Sequence, residues 1–205
     1  MRNTKVYVAD AGSADGTARI ALGFRPLLDI EVIPGGLPSV GRNAGAHRAV
    51  TPYVLFLDAD VELAEPTLLR RSLELMQRRR LHCVTTGIHC RDGSFSDRML
   101  YFGNNCVQRA SRYFKPFSTG MFMLFDTRVF HALGGFDENS LYAEDYQLSK
   151  RVARRRFGIV NGGILTSNRR FQKMGHARIV GLFLKTALNS WNENYFSRDQ
   201  HYWAQ

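Results

Sequence analysis

The segment PYVLFLDAD, residues 52–60, most constrains the fold of this chain of 205 residues. A continuous apolar run that ends in acidic residues is typical of a strand buried on both faces of a parallel sheet. Strand-like and helical segments alternate along the rest of the chain, which predicts an α/β fold with a mostly parallel central sheet flanked by helices. The expected strands are 5–9, 29–34, 52–60, 81–90, 120–126 and 157–166, and the expected helices are 15–23, 37–50, 65–79, 127–136, 143–156 and 177–191.

The chain is strongly basic, with a net charge of +10. Such a charge suits nucleic acid, an anionic membrane surface or a phosphorylated substrate as a partner. However, the arginines at 78–80 and 154–156 end two expected helices that begin with acidic residues, an arrangement that the helix dipole favours. Because aromatic residues do not alternate with these arginines, we expect no nucleic-acid partner, and a basic nucleic-acid-binding domain is the least favoured alternative.

The cysteine count and the hydropathy pattern indicate a cytoplasmic location. The three cysteines are an odd number without a disulfide-like framework, and the first residues lack the apolar core of a signal peptide. Residues 177–191 have apolar side chains at helical spacing, interrupted by Arg178 and Lys185. This helix suits peripheral contact with the inner face of the membrane, and the alternative is a helix packed on the domain.

Acidic residues follow two of the expected strands. Asp10 comes after the first strand, and Asp58 and Asp60 come after the third. The carboxyl ends of parallel strands meet at one edge of a sheet, where ligands bind. Strand alternation would point Asp58 and Asp60 the same way, and a divalent cation would relieve their repulsion. The pair therefore predicts a Mg²⁺ or Mn²⁺ site, with a solvated acidic turn as the alternative.

Three segments together resemble the family 2 glycosyltransferases with the GT-A fold. They are VADAGSADGT (8–17), GRNAGAHRAVTPYVLFLDAD (41–60) and GGFDENSLYAEDYQLSKRVARRRFGI (134–159), and their order and spacing match the family over about residues 5–172. The resemblance implies an inverting transfer of a sugar from a nucleotide-diphosphate sugar of the UDP or GDP type. It also implies a Mn²⁺ or Mg²⁺ cofactor and a glycan or lipid-linked acceptor.

On the donor side, the resemblance assigns roles to four residues and suggests a fifth. Asp10 resembles the aspartate that contacts the nucleotide base, and Arg42 lies where the family often has a residue near the nucleotide or diphosphate. Asp58 and Asp60 match the D-x-D pair, with Asp60 the firmer metal ligand and Asp58 shared with the ribose. His176 would complete the metal site, as a late histidine does in some members; the alternative is a surface histidine before a helix.

On the acceptor side, the acidic motif AED at 143–145 supplies Glu144 and Asp145. The resemblance makes Asp145 the catalytic base, and a position at a helix start favours its ionised form. A plain N-terminal charge preference of the helix is the alternative. Gly120 would allow close approach of the sugar, and Phe136 with Asp137 would form an acceptor-facing turn. For these three, a buried strand start and a structural turn are the alternatives.

The sequence departs from the family at its amino end, where the family has one more strand lining the nucleotide pocket. We therefore expect a catalytic domain over residues 1–172 that lacks the first strand, followed by a helical tail over 173–205. Losing a central strand exposes backbone groups and apolar surface. The alternative function is accordingly a catalytically inactive remnant that binds a sugar nucleotide or a glycan.

Overall fold

A computed structural model describes residues 4–197, apart from the side chains of Arg170, Glu193 and Asn194. The part of the tail beyond residue 197 lies outside the described residues. The strands are β1 (Lys5–Asp10), β2 (Asp29–Pro34), β3 (Tyr53–Leu57), β4 (Val61–Leu63), β5 (Cys83–Cys90), β6 (Phe122–Asp126) and β7 (Phe157–Thr166). The α-helices are α1 (Thr17–Leu22), α2 (Pro38–Arg48), α3 (Leu68–Arg79), α4 (Phe95–Ser111), α5 (Thr127–Ala132), α6 (Glu144–Ser149), α7 (Arg169–Met174), α8 (His176–Leu188) and α9 (Glu193–Phe196).

The α/β fold with a central sheet is confirmed, but the expected strand directions are not. Strands β1 and β2 form a parallel pair, and the larger sheet has the order β3-β6-β5-β7-β4. In that sheet only β5 and β7 run parallel, whereas the pairings β3-β6, β5-β6 and β4-β7 are antiparallel. A strand buried on both faces is apolar along its length whichever way its neighbours run, so the apolar runs did not predict direction.

Strands β1 and β3 each have an unpaired edge in the described part of the chain. Strand β1 pairs only with β2, and β3 pairs only with β6. Helix α2 connects the two sheets. Its Gly41 packs on Ala9 so closely that a Cβ on Gly41 would lie 2.9 Å from that of Ala9, and its Asn43 bonds to Phe136 of the other unit. The expectation that a strand is lacking beside Asp10 stays a prediction.

The larger sheet carries a hydrophobic core on each face, because successive residues of a strand point to opposite sides. On one face Cys83 and Phe125 pack with Phe130 of α5 and Leu148 of α6. The other face is covered mainly by α3. That second core comprises Val84, Leu124 and Ile164 of the sheet together with Leu68, Met76 and their neighbours.

Helix α4 lies where irregular structure was expected, between residues 91 and 117. It begins with a capping box, in which the Ser94 side chain accepts from the Asp97 N–H and Asp97 accepts from the Ser94 N–H. Such a box is readable as S-x-x-D in the sequence. It was missed because most of the apolar residues of this helix face solvent and give no simple core-facing pattern.

The expected helix over 143–156 is wrong in its length. Helix α6 ends at Ser149, and Arg154–Arg156 form a short 3-10 turn that leads into β7. The second arginine cluster therefore does not lie at the carboxyl end of an α-helix. The side chains of Val152 and Phe157 are buried in the core on one face of the sheet. Their packing ends the helix earlier than the pattern of charged residues predicted.

Among the described residues, no helix combines the length and hydrophobicity that crossing a membrane requires. The proposed division at residues 172 and 173 falls inside α7, whose Phe171 is buried. The two-part organisation stays a prediction.

Candidate active site

Arg42 occupies the centre of a charged cluster at one edge of the larger sheet. Its Nη1 donates to Glu144 Oε1 at 2.6 Å, and its Nη2 donates to Asp58 Oδ1 at 2.7 Å. The three side chains are only 14%, 6% and 29% exposed for Arg42, Glu144 and Asp58. Burial by itself would lower the pKa of Arg42, but the nearby carboxylates outweigh it and raise that pKa. The cluster thus joins α2, the end of β3 and the start of α6.

Two neighbours fix the Arg42 guanidinium from its other sides. The ring of Phe136 lies 5.4 Å from the guanidinium carbon, within cation–π range. Gly120 lies against the guanidinium, and a Cβ at that position would come within 2.6 Å of Nη2. Gly120 therefore leaves room for Arg42, and the close approach of the sugar expected there stays a prediction.

Asp145 sits beside this cluster at the first turn of α6. Its Oδ2 accepts a hydrogen bond from the Gly120 N–H at 2.5 Å, and its Oδ1 accepts one from the Tyr146 N–H at 2.7 Å. Burial, reinforced by the carboxylate of Glu144, raises the pKa of Asp145 to about 7, although Arg42 opposes the shift. A carboxyl group with such a pKa takes and releases a proton near neutral pH.

The backbone before α6 is strained. Ala143 has a φ of 54° in the left-handed region, which an alanine adopts at a cost of roughly 1–2 kcal/mol. Strained backbone of this kind is found at functional sites more often than elsewhere. Directly after Ala143, the Glu144 side chain bonds to Arg42, and the Asp145 side chain bonds to the Gly120 N–H.

The aspartates of the D-x-D pair lie in the turn between β3 and β4, because β3 ends at Leu57. Strand alternation therefore does not set their directions, contrary to the sequence argument. Asp58 faces Arg42, and Asp60 is half exposed and pairs with Arg169 at 3.2 Å. This carboxylate set fits a Mg²⁺ or Mn²⁺ ion, which proteins hold through one or two carboxylates, with phosphate and water completing the shell.

His176 lies apart from the two aspartates in the described structure. Its Nε2 is 2.6 Å from Oδ1 of Asp97, and its ring stacks on Phe171. The buried Asp97 also accepts from Ser94 and Asn168, and although burial alone would raise its pKa, these bonds lower it to about 2. No group of three His, Cys, Asp or Glu side chains suited to a metal occurs in the described part of the chain, so His176 as a metal ligand stays a prediction.

Asp10 lies at the end of β1, where its carboxylate organises the following turn. Its Oδ2 accepts from the N–H groups of Gly12 and Ser13, and the bonds from Ser13 contribute to lowering its pKa. Ala9, the preceding residue, packs on Gly41, and Arg42 follows Gly41 in the chain. Asp10 is thus at the edge of the small sheet that lies towards the Arg42 cluster.

The turn at 134–138 is fixed by core packing and by its own hydrogen bonds. Phe136 is only 2% exposed and belongs to the core, and its side chain supports Arg42. Asp137 caps its own turn by accepting from Asn139 N–H and Ser140 Oγ. The acceptor-facing role expected for the turn at Phe136 and Asp137 stays a prediction.

Sequence reasoning missed Asn43, which holds this turn against α2. The buried Asn43 donates to Phe136 O at 2.8 Å and to Glu138 Oε1 at 2.9 Å, and it accepts from the Phe136 N–H at 3.0 Å. Its partners lie 93 and 95 residues away. Asn43 lies in the segment GRNAG, but only the fold shows that it bonds to the turn whose Phe136 packs on Arg42.

Comparison with known proteins connects this arrangement to one family. The family model described as glycosyl transferase family 2 matches residues 1–134. No curated protein matches the chain.

Several solved structures share its fold. S. aureus TarS 1-349 has a TM-score of 0.60 at 17% identity, over 81% of this chain and 52% of TarS. The mannosyltransferase PcManGT from Pyrobaculum calidifontis, in complex with GDP-Man and Mn²⁺, has a TM-score of 0.62 at 18% identity, over 90% and 55%. Glucosyl-3-phosphoglycerate synthase from Mycobacterium tuberculosis has a TM-score of 0.56 at 16% identity, over 89% and 68%.

The fold and the acidic edge of its sheet define a protein of the glycosyltransferase class with the GT-A fold. The chain belongs to glycosyl transferase family 2. It spans about half the length of the first two of these structures.

Proposed function

We propose that the chain transfers a sugar from a nucleotide-diphosphate sugar of the UDP or GDP type to an acceptor hydroxyl, with inversion at the anomeric carbon. The observation that carries this proposal is the joint position of Asp145, with its pKa of about 7, and the Arg42–Asp58 pair. One group suits proton removal from an acceptor, and the other adjoins a turn suited to a metal diphosphate. Family membership supports both assignments.

On the donor side, Asp58 and Asp60 hold Mn²⁺ or Mg²⁺, and Asp10 contacts the nucleotide. A Mn²⁺ or Mg²⁺ ion held by these carboxylates would supply positive charge to balance that of the departing nucleoside diphosphate. Arg42 orients the Asp58 carboxylate by its hydrogen bond at 2.7 Å. The neighbour PcManGT was solved with GDP-Man and Mn²⁺, which makes a GDP or UDP sugar with Mn²⁺ the natural first ligand to test.

On the acceptor side, Asp145 removes the proton from the attacking hydroxyl. The acceptor oxygen then forms its bond to the anomeric carbon as the bond from that carbon to the diphosphate oxygen breaks. One displacement of this kind inverts the configuration. Glu144 acts through its neighbours, because it holds Arg42 and raises the pKa of Asp145. A glycan or lipid-linked hydroxyl is the acceptor.

A second candidate function is ligand binding without turnover. Strand β1, which ends at Asp10, and β3, which is followed by Asp58, each keep one unpaired edge in the described part of the chain. If those edges leave the pocket without a wall, the site binds a sugar nucleotide but does not hold it in a reactive position.

A thermal-shift panel of UDP and GDP sugars, with and without Mn²⁺, tests the proposal. We expect one donor to raise the melting temperature only when Mn²⁺ is present. Asp60→Ala should weaken that donor by about tenfold or more, since half of the carboxylate pair is lost. Asp92→Ala, an exposed aspartate outside the site, is the matched control and should leave binding unchanged. Metal-independent binding in the wild type would contradict the proposed donor site.

A further inference from the structure

Helix α4 presents a row of apolar side chains to solvent. Phe95, Met99 and Phe102 recur at helical spacing and are 79%, 48% and 62% exposed. The opposite side of the helix is fixed to the sheet by hydrogen bonds from Asn105 and Gln108 to the backbone of β5. These apolar side chains therefore lie on the outer side of a helix whose inner side is held on the sheet. Tyr113 and Phe114, also exposed, extend the apolar surface beyond α4.

Helix α8 has the same two-sided arrangement. Ile179 and Leu182 are buried against the domain. Val180, Leu184 and Leu188 face solvent, and Leu188 is 78% exposed. Most of residues 177–191 thus form the expected helix. Its outer apolar side chains remain exposed to solvent.

Two contacts link α4 and α8, one near the start of each helix and one just beyond their ends. Their first turns are joined by the contact between Asp97 and His176 at 2.6 Å. At the other end, Lys115 follows α4 and places its Nζ 4.8 Å from the ring centre of Trp191, which follows α8. The exposed apolar side chains of α4, residues 113–114, α8 and Trp191 form what we call the α4-α8 surface.

The α4-α8 surface is strongly cationic. The segments 94–117 and 169–191 contain one acidic residue, Asp97, and its carboxylate is buried on His176 and the α4 cap. They contain nine basic residues: Arg98, Arg109, Arg112, Lys115, Arg169, Arg170, Lys173, Arg178 and Lys185. A second copy of the chain would bring the same positive charge against this surface, which opposes self-association.

We propose that the α4-α8 surface docks on an anionic lipid bilayer. Apolar side chains on two adjacent helices enter the interfacial region, and the surrounding lysines and arginines contact anionic headgroups. Each Lys or Arg near the membrane surface adds to this attraction. Contiguous exposed apolar surface of this kind is uncommon on soluble monomers and marks an interaction site.

Docking there connects the bilayer to the proposed catalytic base, so this inference rests on the proposed function and narrows its acceptor. The inner side of α8 packs on the segment that carries Glu144 and Asp145: Leu182 lies in one cluster with Tyr142 and Tyr146, and Thr186 Oγ1 donates to Tyr142 at 3.2 Å. The proposed base therefore lies on a segment that contacts the docked helix through Tyr142 and Tyr146. A lipid-linked hydroxyl presented at the headgroup level fits this placement.

Co-sedimentation of the full chain with vesicles tests the proposal. We expect binding to phosphatidylcholine vesicles that contain phosphatidylglycerol, weak binding to pure phosphatidylcholine, and loss of binding at high salt. The double variant Leu184→Ser/Leu188→Ser should bind about tenfold more weakly or worse, because two inserted side chains are lost. Val50→Ser is the matched control: Val50 is 98% exposed but lies between α2 and β3, and binding should be unchanged.

Equal binding of the wild type and the α8 double variant would overturn the proposal. So would a salt-insensitive preference for neutral vesicles, or a dimer in light scattering that the double variant abolishes, since a second copy would then be the occupant. Donor binding in the presence of Mn²⁺ separates this inference from the proposed function. An α8 variant that still binds the donor but no longer binds vesicles supports docking. If the wild type binds vesicles but no donor, docking stands and the proposed sugar-transfer function is contradicted.

Discussion

Asp145→Asn is expected to lower the rate of sugar transfer by about 10²–10⁴-fold while leaving the affinity for the nucleotide sugar within about twofold. The amide cannot accept the proton of the acceptor hydroxyl, whereas Asp58 and Asp60, on the donor side, are untouched. Single-turnover transfer and calorimetric donor binding measure the two effects separately. Glu74→Gln, an exposed acid on α3, is the control and should change neither quantity.

The pH dependence of the same variant gives a second, independent readout. Because the pKa of Asp145 is about 7 in the folded protein, the transfer rate of the wild type should rise as pH increases through 7 and then level off.

The effect of rising pH on the stability of the folded protein has the opposite sign. The unfolded carboxyl group ionises near its ordinary value of 3.8, so the folded state loses stability between about pH 4 and 7 as pH rises. Asp145→Asn removes this loss, and its melting temperature relative to the wild type should therefore be higher at pH 8 than at pH 5. An unchanged difference between the two pH values would argue that Asp145 is already ionised well below pH 7.

Arg42→Ala is expected to lower the free energy of unfolding by about 3–5 kcal/mol and to abolish donor binding. The substitution leaves the Glu144 carboxylate, only 6% exposed, without its cation, and it frees Asp58 from the bond that orients it. Urea unfolding measures the first effect, and a titration with the Mn²⁺ nucleotide measures the second.

Two controls separate the cluster from general charge loss. Arg70→Ala breaks an exposed pair with Glu74 on α3 and should cost no more than about 0.5 kcal/mol. Adding Glu144→Gln to Arg42→Ala should recover a substantial part of the lost stability, because the unpaired buried carboxylate is then gone. If Arg42→Ala costs no more than the Arg70→Ala control, Arg42 does not hold the site together.

Much of the site was readable because its residues come in short, ordered segments. GRNAG supplied Arg42, LFLDAD supplied Asp58 and Asp60, and YAED supplied Glu144 and Asp145. The central position of Arg42 was not readable, since its two partners lie 16 and 102 residues away and neither pairing leaves a local pattern. Propensity and periodicity describe only neighbours along the chain, whereas this cluster depends on how three elements meet.

The errors have a common physical origin. Antiparallel pairing in the larger sheet could not be told from parallel pairing, since apolar runs look alike in both. Helix α4 was missed because Phe95, Met99 and Phe102 face outwards, so its apolar residues do not mark a single buried side. The expected helix over 143–156 was too long because Val152 and Phe157 are buried in the core, so the chain leaves the helix after Ser149. In each case tertiary context decided what a local pattern left open.

Manganese binding measured by electron paramagnetic resonance, with and without the nucleoside diphosphate, tests the central claim most directly. If a metal at Asp58 and Asp60 joins the protein to the diphosphate, nucleotide must increase the affinity for Mn²⁺, and Mn²⁺ must increase the affinity for nucleotide by the same factor. We predict at least about a tenfold increase in both directions, lost in Asp60→Ala. Independent binding of the two ligands, or coupling that persists in Asp60→Ala, would contradict the claim that these carboxylates hold the donor through a metal.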